Sequence, residues 1–416
     1  MNTKSIKIMD SMSYIMIMLI PLRGFTTVNG FNIILGVYFF ISILRNFRKR
    51  IFISKFSSLY MLFLIYCSLS VIYSHNLSGT KWLLMRIIPT FIMGLCISIE
   101  VSKKRYDIKE QIKYINKLFI YYVIGTVIAS IYMLIFELPL THGWGRMGRI
   151  LYREEGQMQY SYHLIISITY LIYWLLIKRK SINDKLKLRS LVIIMILCIL
   201  VVSALLTSIR KVLIGPLVFI VIMQLLSSKS NFRKLIINMI LSIIFIMATY
   251  WSIINIQPLY KIIGKRTEAL VQSVIKPTTN NVEGSIEERE ILRRNAWDLF
   301  KKYPILGYGL DAFKSYTGNN GTSAVYAHNN YLEILASLGS VGFILYYYNF
   351  IMLFIRLYKV YNKYKCGIAL YGVAFLSMQL ILDYGQVTYF VISFVTIYFI
   401  FGSLNSNYYK ELERKK

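Results

Sequence analysis

The chain has 416 residues, of which 56 % are hydrophobic and 16 % are charged, and its mean hydropathy is +0.54. Soluble domains carry about 25 % charged residues, so this composition argues against a soluble, disordered or coiled-coil protein and favours a multi-pass membrane protein. The net charge of +29 would suit nucleic acid, but the positive-inside rule accounts for it without such a partner.

Twelve apolar runs follow one another along the chain, each close to the roughly 20 residues that cross a bilayer as a helix. They predict an all-α fold, with one integral membrane domain over residues 1–416 and about twelve transmembrane helices. The runs lie at 11–25, 30–44, 57–73, 82–100, 117–136, 159–177, 190–207, 212–227, 235–254, 332–355, 367–383 and 387–403. We expect no cleavable signal peptide, because the first apolar stretch leads into further spans without a small-residue cleavage site.

The basic residues predict the orientation of these helices. Short basic segments, such as 45–50 and 103–105, fall in alternate loops, which places those loops and both termini in the cytoplasm. Two longer segments then lie on the outer face, at 137–158 and 255–331. In the first of these, three arginines are either solvated charges or contacts to an acidic sugar or a second diphosphate: Arg146, Arg149 and Arg153.

The large outer loop, residues 255–331, contains a predicted amphipathic helix. A capping box at 285–288 begins it, and Pro304 follows its end. Its apolar positions recur at helical spacing: Leu292, Ala296 and Leu299. Arg289 and Arg293, four residues apart, lie on one face of this helix. They are either ordinary surface charges or ligands of an anion.

Polar residues also stand where the outer loops meet the predicted spans. His328 lies where the large loop enters the tenth span; a neutral imidazole there suits a general base, and an interfacial or capping histidine is the alternative. Arg210 and Lys211 interrupt an apolar stretch at the outer turn between two spans. A charge at membrane depth costs about 2.5–3.5 kcal/mol, so this pair either reaches the headgroups or holds an anion. Asp383 is equally ambiguous, and we place it at the interface.

Other reactive residue types show no pattern of a site. The cysteines lie in or beside apolar runs, without paired or metal-ligand spacing, and are expected to be small apolar residues: Cys67, Cys96, Cys198 and Cys366. Three histidines lack a motif and are assigned no role: His75, His142 and His163. We therefore expect neither a metal nor a cofactor.

Five motifs, taken in chain order, resemble the O-antigen ligase and polymerase superfamily. They are Leu-Thr-Ser-Ile-Arg at 206–210, Arg-Thr-Glu-Ala-Leu at 266–270, Arg289, Tyr-Pro-Ile-Leu-Gly-Tyr-Gly at 303–309 and Ala-His-Asn at 327–329, with Gly339 and Gly342 after them. No single motif is specific to this superfamily, but the five motifs in this order and with this predicted topology are specific to it. The resemblance covers roughly residues 200–345, and the first two hundred residues match in hydropathy only.

The resemblance implies a membrane-embedded glycosyltransferase that takes its glycan from undecaprenyl diphosphate. It implies His328 and Arg289 as catalytic residues. The residues implied to bind the diphosphate are Arg210, Arg266, Lys211 and Arg293. The last two depart from the family pattern, since Lys211 replaces a commonly small residue and Arg293 stands where tryptophan is frequent. Both departures add positive charge to an anion site.

Within this superfamily the leading hypothesis is a polymerase that builds an O-antigen or a capsule from lipid-linked repeat units on the outer face. Abundant Ile, Lys, Asn and Tyr indicates an AT-rich gene, common in polysaccharide clusters, and favours that reading. The alternative is a ligase that transfers the finished glycan to lipid A core or another terminal acceptor. A lipid-linked sugar transporter is less favoured, because the charges gather at the outer face and no repeat is visible. The expected partners are the lipid-linked donor, a glycan acceptor, the lipid bilayer and, as a further candidate, a chain-length regulator.

Overall fold

The computed structural model describes residues 3–26, 28–46, 52–137, 147–148, 150, 152, 157–177, 184–207, 209–227, 232–257, 260, 264, 268, 284–319 and 325–404. Within these ranges the chain is all-helical and contains no strand. The helices are α1 (Thr3–Leu19), α2 (Val28–Asn46), α3 (Lys55–Leu69), α4 (Leu77–Lys103), α5 (Ile108–Tyr132), α6 (Gln157–Ile177), α7 (Asp184–Thr207), α8 (Arg210–Ser227), α9 (Phe232–Asn255), α10 (Gly284–Lys302), α11 (Phe313–Asn319), α12 (Asn330–Tyr364), α13 (Gly367–Leu382) and α14 (Ile392–Gly402).

A described helix lies at each of the twelve predicted apolar runs. Over the described ranges, seven helices are long and apolar enough to cross a membrane, and three shorter apolar helices accompany them. These helices make the chain a multi-pass membrane protein. The exact number of twelve spans, the single domain over 1–416 and the side on which each loop lies stay predictions.

The centre of the bundle is formed by α14, which is buried along its whole length. It packs against α4, while α12 packs against α3 and α13 against α8. A helix that is apolar all round has no polar face to turn to water or headgroups, so α14 is enclosed by its neighbours.

The last helix begins later than the sequence pattern predicts, at Ile392 rather than at residue 387. The reason is a side chain from another helix. The Asn330 Oδ1 atom accepts the backbone N–H of Thr388 at 2.9 Å and that of Tyr389 at 3.2 Å. These two groups are thereby satisfied without helical bonds, and residues 386–391 form a non-helical segment with a turn at 389–390.

The predicted amphipathic helix is confirmed as α10, Gly284–Lys302. It begins one residue before the predicted cap, whose Ser285 side chain lies outside the described ones. Its three predicted apolar positions are fully buried: Leu292, Ala296 and Leu299. They form a small core with residues of α11 and α12. This packing holds α10 against the N-terminal part of α12.

The glycine motif of the large loop fits into a break in α12. At Gly339 the backbone leaves helical geometry, with φ of 64°, and residues 304–309, which we call the strap, lie in the gap. The strap replaces the missing helical bonds, with Tyr308 N–H donating to Ala336 O, Gly309 N–H to Ser337 O and Ser340 N–H to Pro304 O, each at 2.9 Å. A helix break filled in this way leaves its polar backbone groups paired.

Candidate active site

His328 lies in the short segment that leads into α12. Asn329 caps that helix, since its side-chain oxygen accepts the backbone N–H of Leu332 at 3.1 Å. The Glu333 carboxylate reaches back and accepts the backbone N–H of Ala327 at 2.8 Å. Side chains at the start of α12 therefore fix the backbone on both sides of His328.

The backbone of His328 has an uncommon conformation, with φ of 51°. The left-handed region costs most L-residues about 1–2 kcal/mol, and Asn, Asp and His are the non-glycine residues found there most often. Among the described residues no hydrogen bond holds the imidazole ring, so the backbone and packing alone set its direction. Strain of this kind concentrates at functional sites.

The charges near His328 are mainly positive. Burial lowers the pKa of His328 to about 4, and the charges of Arg289, Lys211 and Arg293 act in the same direction, against the opposing effect of Glu288. Protonation would add one more cation to this group of three, which Coulomb repulsion disfavours. His328 is therefore neutral at physiological pH and able to accept a proton.

Two of these cations come from α10. Arg289 and Arg293 lie on consecutive turns, as their spacing predicts. The Arg293 guanidinium lies over the Tyr384 ring, 4.7 Å from its centroid, and forms an ion pair with Glu290 at 3.4 Å. The aromatic contact holds Arg293 towards the turn after α13, so α10 presents its arginines to the bundle.

The third cation, Lys211, comes from the first turn of α8, which begins at Arg210. The Lys211 Nζ donates to the backbone carbonyl of Gly385, and the charges of Arg289 and Arg293 also act on Lys211. Arg210 itself follows Ile209, which lines the same cavity as His328. Helices distant in sequence thus bring three of the predicted site residues, Arg289, Arg293 and Lys211, to one place with His328.

Asp383, which the sequence leaves at the membrane interface, is fully buried within the protein. Its Oδ1 atom accepts from Gln379 Nε2 and Thr388 Oγ1, both at 2.7 Å, and its Oδ2 atom accepts from Asn330 Nδ2 at 3.2 Å and Tyr347 OH at 3.3 Å. A buried carboxylate needs such donors to offset its desolvation. This network, which we call the Asp383 hub, fixes the turn that binds Lys211.

Some sequence assignments cannot be placed in this site. Four arginines lie outside the described residues: Arg266, Arg146, Arg149 and Arg153. The His75 ring stacks on Tyr308 with 4.0 Å between centroids, and His163 meets Tyr122 OH at 2.6 Å inside the bundle. Both contacts are those of packed structural side chains.

Three polar residues near His328 are not singled out by the sequence motifs. A cavity of about 430 Å³ is lined by His328 together with Arg86, Gln159 and Gln386. Arg86 could have been noticed, because a charge within an apolar run is costly and usually functional. The two glutamines carry no such signal, since an isolated amide occurs in many membrane helices and loops.

The family model described as O-antigen ligase matches residues 158–347. That range contains all six predicted site residues: Arg210, Lys211, Arg266, Arg289, Arg293 and His328. No curated protein sequence matches the chain. The family match confirms the resemblance drawn from the motifs, and the chain is a multi-pass membrane protein that carries an O-antigen ligase family region.

Proposed function

We propose that this protein is a glycosyltransferase that polymerises a surface polysaccharide, an O-antigen or a capsule, on the outer face of a bacterial cytoplasmic membrane. The donor is a glycan on undecaprenyl diphosphate, and the acceptor is the terminal sugar of another lipid-linked repeat unit. In this proposal both termini are cytoplasmic and residues 255–331 lie outside. A chain-length regulator is a further candidate partner.

The observation that carries the proposal is a neutral His328 among the cations Arg289, Arg293 and Lys211. Arginine matches phosphate oxygens with two parallel hydrogen bonds, and lysine adds a compact charge. The start of α8 adds the positive end of a helix dipole beside Arg210 and Lys211. An anion at this place would interact favourably with both the side chains and the helix.

The chemistry is a single displacement. The acceptor hydroxyl attacks the anomeric carbon of the donor while the bond from that carbon to the diphosphate oxygen breaks. The hydroxyl proton goes to the His328 imidazole, and the electron pair of the broken bond goes to the diphosphate, whose charge the cations stabilise. We infer inversion at the anomeric carbon, no covalent enzyme intermediate and no metal, since arginine supplies the electrophilic role.

Donor binding improves His328 as a base. The diphosphate offsets the positive charges that act on His328, so it raises the pKa of the imidazole from about 4 towards its ordinary value near 6.5. A base with a pKa closer to the working pH accepts a proton more effectively. His328 is therefore a better base when the lipid-linked glycan donor is bound.

The second candidate is a ligase that transfers the lipid-linked glycan to lipid A core or another terminal acceptor. The description of the matching family model favours it. Both candidates use the same donor and the same displacement, so they differ in the acceptor alone.

A glycan gel separates the two candidates. A strain that lacks the gene is complemented with the wild type or with His328→Asn, and lipid-linked and surface fractions are compared. If the protein is the polymerase, the wild type should give a ladder of glycan chain lengths on the gel, and the variant should give single repeat units. Long lipid-linked chains that fail to reach the surface acceptor would identify the ligase. A normal surface product from the variant, at wild-type expression, would contradict the role of His328.

A further inference from the structure

The cavity beside His328 has the size of a ligand site. Its volume of about 430 Å³ falls within the range of about 300–1,000 Å³ that small-molecule sites occupy. Its walls are formed by α4, α6 and residues 386–391, and most of them are apolar or aromatic, with Tyr162 and Phe390 among them. A few polar groups converge on this apolar surface, as in sites that orient a ligand.

The clearest polar group is Gln386. The residue is 1 % exposed, yet neither its amide oxygen nor its amide nitrogen has a hydrogen-bond partner among the described residues. The Oε1 atom of Gln159, which lines the same cavity, is likewise buried without a partner in the described part of the chain. An unsatisfied buried group costs about 1–3 kcal/mol, so these amides point to a ligand that supplies the missing bonds.

Arg86 adds a charged donor to the same cavity. It belongs to α4, and its guanidinium lies over the Trp82 ring, 3.9 Å from the centroid. In the part of the chain that the structure describes, Arg86 forms no ion pair. A guanidinium has five N–H donors and no acceptor, so Arg86 brings several donors to the cavity that it lines.

The cavity and the group of cations share His328 as a common neighbour. His328 lines the cavity, whereas Arg289, Lys211 and Arg293 act on the imidazole but do not line it. In a single displacement the attacking hydroxyl and the leaving group stand on opposite sides of the reacting carbon. The three cations suit the diphosphate, and the cavity, which they do not line, can hold the hydroxyl that His328 deprotonates.

We infer that this cavity binds the acceptor sugar, with Gln386 and Gln159 hydrogen-bonded to its hydroxyl groups and Arg86 donating to its oxygens. The apolar walls face the C–H surface of the sugar ring. This inference rests on the proposed function and adds to it the acceptor subsite and the residues that determine acceptor recognition.

The test measures the Michaelis constants for donor and acceptor separately. The protein is reconstituted in proteoliposomes with the lipid-linked glycan that accumulates in a strain lacking the gene. The acceptor is the host repeat unit on a fluorescent alkyl group, which has no diphosphate and cannot serve as a donor. Gln386→Leu, Gln159→Leu and Arg86→Leu are compared with Gln224→Leu, a glutamine of α8 that does not line the cavity.

We expect each cavity variant to raise the KM for the acceptor by about tenfold, because it loses one buried hydrogen bond to the acceptor. The KM for the donor should stay unchanged. Gln224→Leu should alter neither constant. Gln386→Leu should also keep or raise the melting temperature, because it removes an amide without a partner. A lowered melting temperature would show that the amide has a structural partner and would overturn the inference.

Two other outcomes would separate a failure of the acceptor assignment from a failure of the proposed function. A rise in the donor KM, with the acceptor KM unchanged, would place the lipid-linked donor in the cavity and overturn the acceptor assignment while leaving the proposed function standing. No transfer by the wild type, with donor and acceptor both present, would contradict the proposed function itself.

Discussion

His328 and Arg289 illustrate how single residues are tuned by their surroundings. The imidazole is kept neutral by burial and by nearby cations, of which Arg289 has the largest effect. The same cation that suits a diphosphate therefore also keeps the base unprotonated before the donor arrives. In the proposed mechanism the group of cations therefore acts on both the base and the leaving group.

Arg289→Gln should change the pH dependence as well as the rate. Removal of a cation favours the imidazolium, so the pKa of His328 should rise from about 4 towards 6.5. The acid limb of kcat/KM, which reports the free enzyme, should move to higher pH by the same amount. The control is Arg294→Gln on the same helix, whose side chain is 76 % exposed. An unchanged acid limb in Arg289→Gln would contradict the electrostatic account.

Asp383→Asn should destabilise the protein. The carboxylate accepts four side-chain hydrogen bonds. The amide nitrogen of an asparagine is itself a donor, so it would face side chains that donate and leave them without an acceptor. One unsatisfied buried group costs about 1–3 kcal/mol of folding free energy. The substitution should therefore lower the melting temperature of the protein in detergent. Asp298→Asn, at an exposed ion pair with Lys301, should change it little. Equal melting temperatures for the two variants would exclude a structural role of the Asp383 hub.

At the scale of elements, the site depends on the break in α12. The N-terminal part of α12 follows Asn329, the cap beside His328, and packs against α10. The strap, residues 304–309, forms backbone hydrogen bonds on both sides of Gly339 and so fixes the angle of this N-terminal part. The glycine motif is therefore a structural device that positions His328 and the arginines of α10.

Gly307→Ala should disrupt this arrangement. Gly307 has φ of 78°, and a Cβ there would stand 2.5 Å from backbone atoms of Ser337, Leu338 and Gly339. Backbone cannot yield as a flexible side chain can, so we expect a lower melting temperature and loss of transfer activity. Gly36→Ala is the matched control, since nothing lies within 4 Å of its added Cβ. It should keep or slightly raise stability.

At the scale of the whole molecule, the proposal requires that α10 and His328 face the outside while both termini face the cytoplasm. Asp298→Cys on α10 and Lys109→Cys at the start of α5 probe the two sides, and both positions are exposed. In intact spheroplasts a membrane-impermeant maleimide should label the first and not the second. Labelling of Lys109→Cys without permeabilisation would contradict the proposed orientation.

The sequence predicts the helical architecture well, because apolar runs and the 285–302 periodicity are local patterns. Its motifs also single out His328, Arg289 and Arg293, which the structure brings close together, whereas Arg266 lies outside the described residues. It does not predict the Asp383 hub, whose partners Asn330 and Thr388 come from distant segments. The late start of α14 has the same cause, because a side chain of α12 replaces its first helical bonds.

The most direct test of the account is the transfer rate of His328→Asn in proteoliposomes supplied with the lipid-linked glycan. Asparagine tolerates the left-handed backbone of this position, so the fold should persist, and binding of the donor should be retained. Loss of a general base predicts a rate about 10²–10⁴-fold lower than that of the wild type. His75→Asn, at the histidine stacked on Tyr308, should transfer at nearly the wild-type rate. Transfer by His328→Asn at the wild-type rate would contradict the role of His328 as the base.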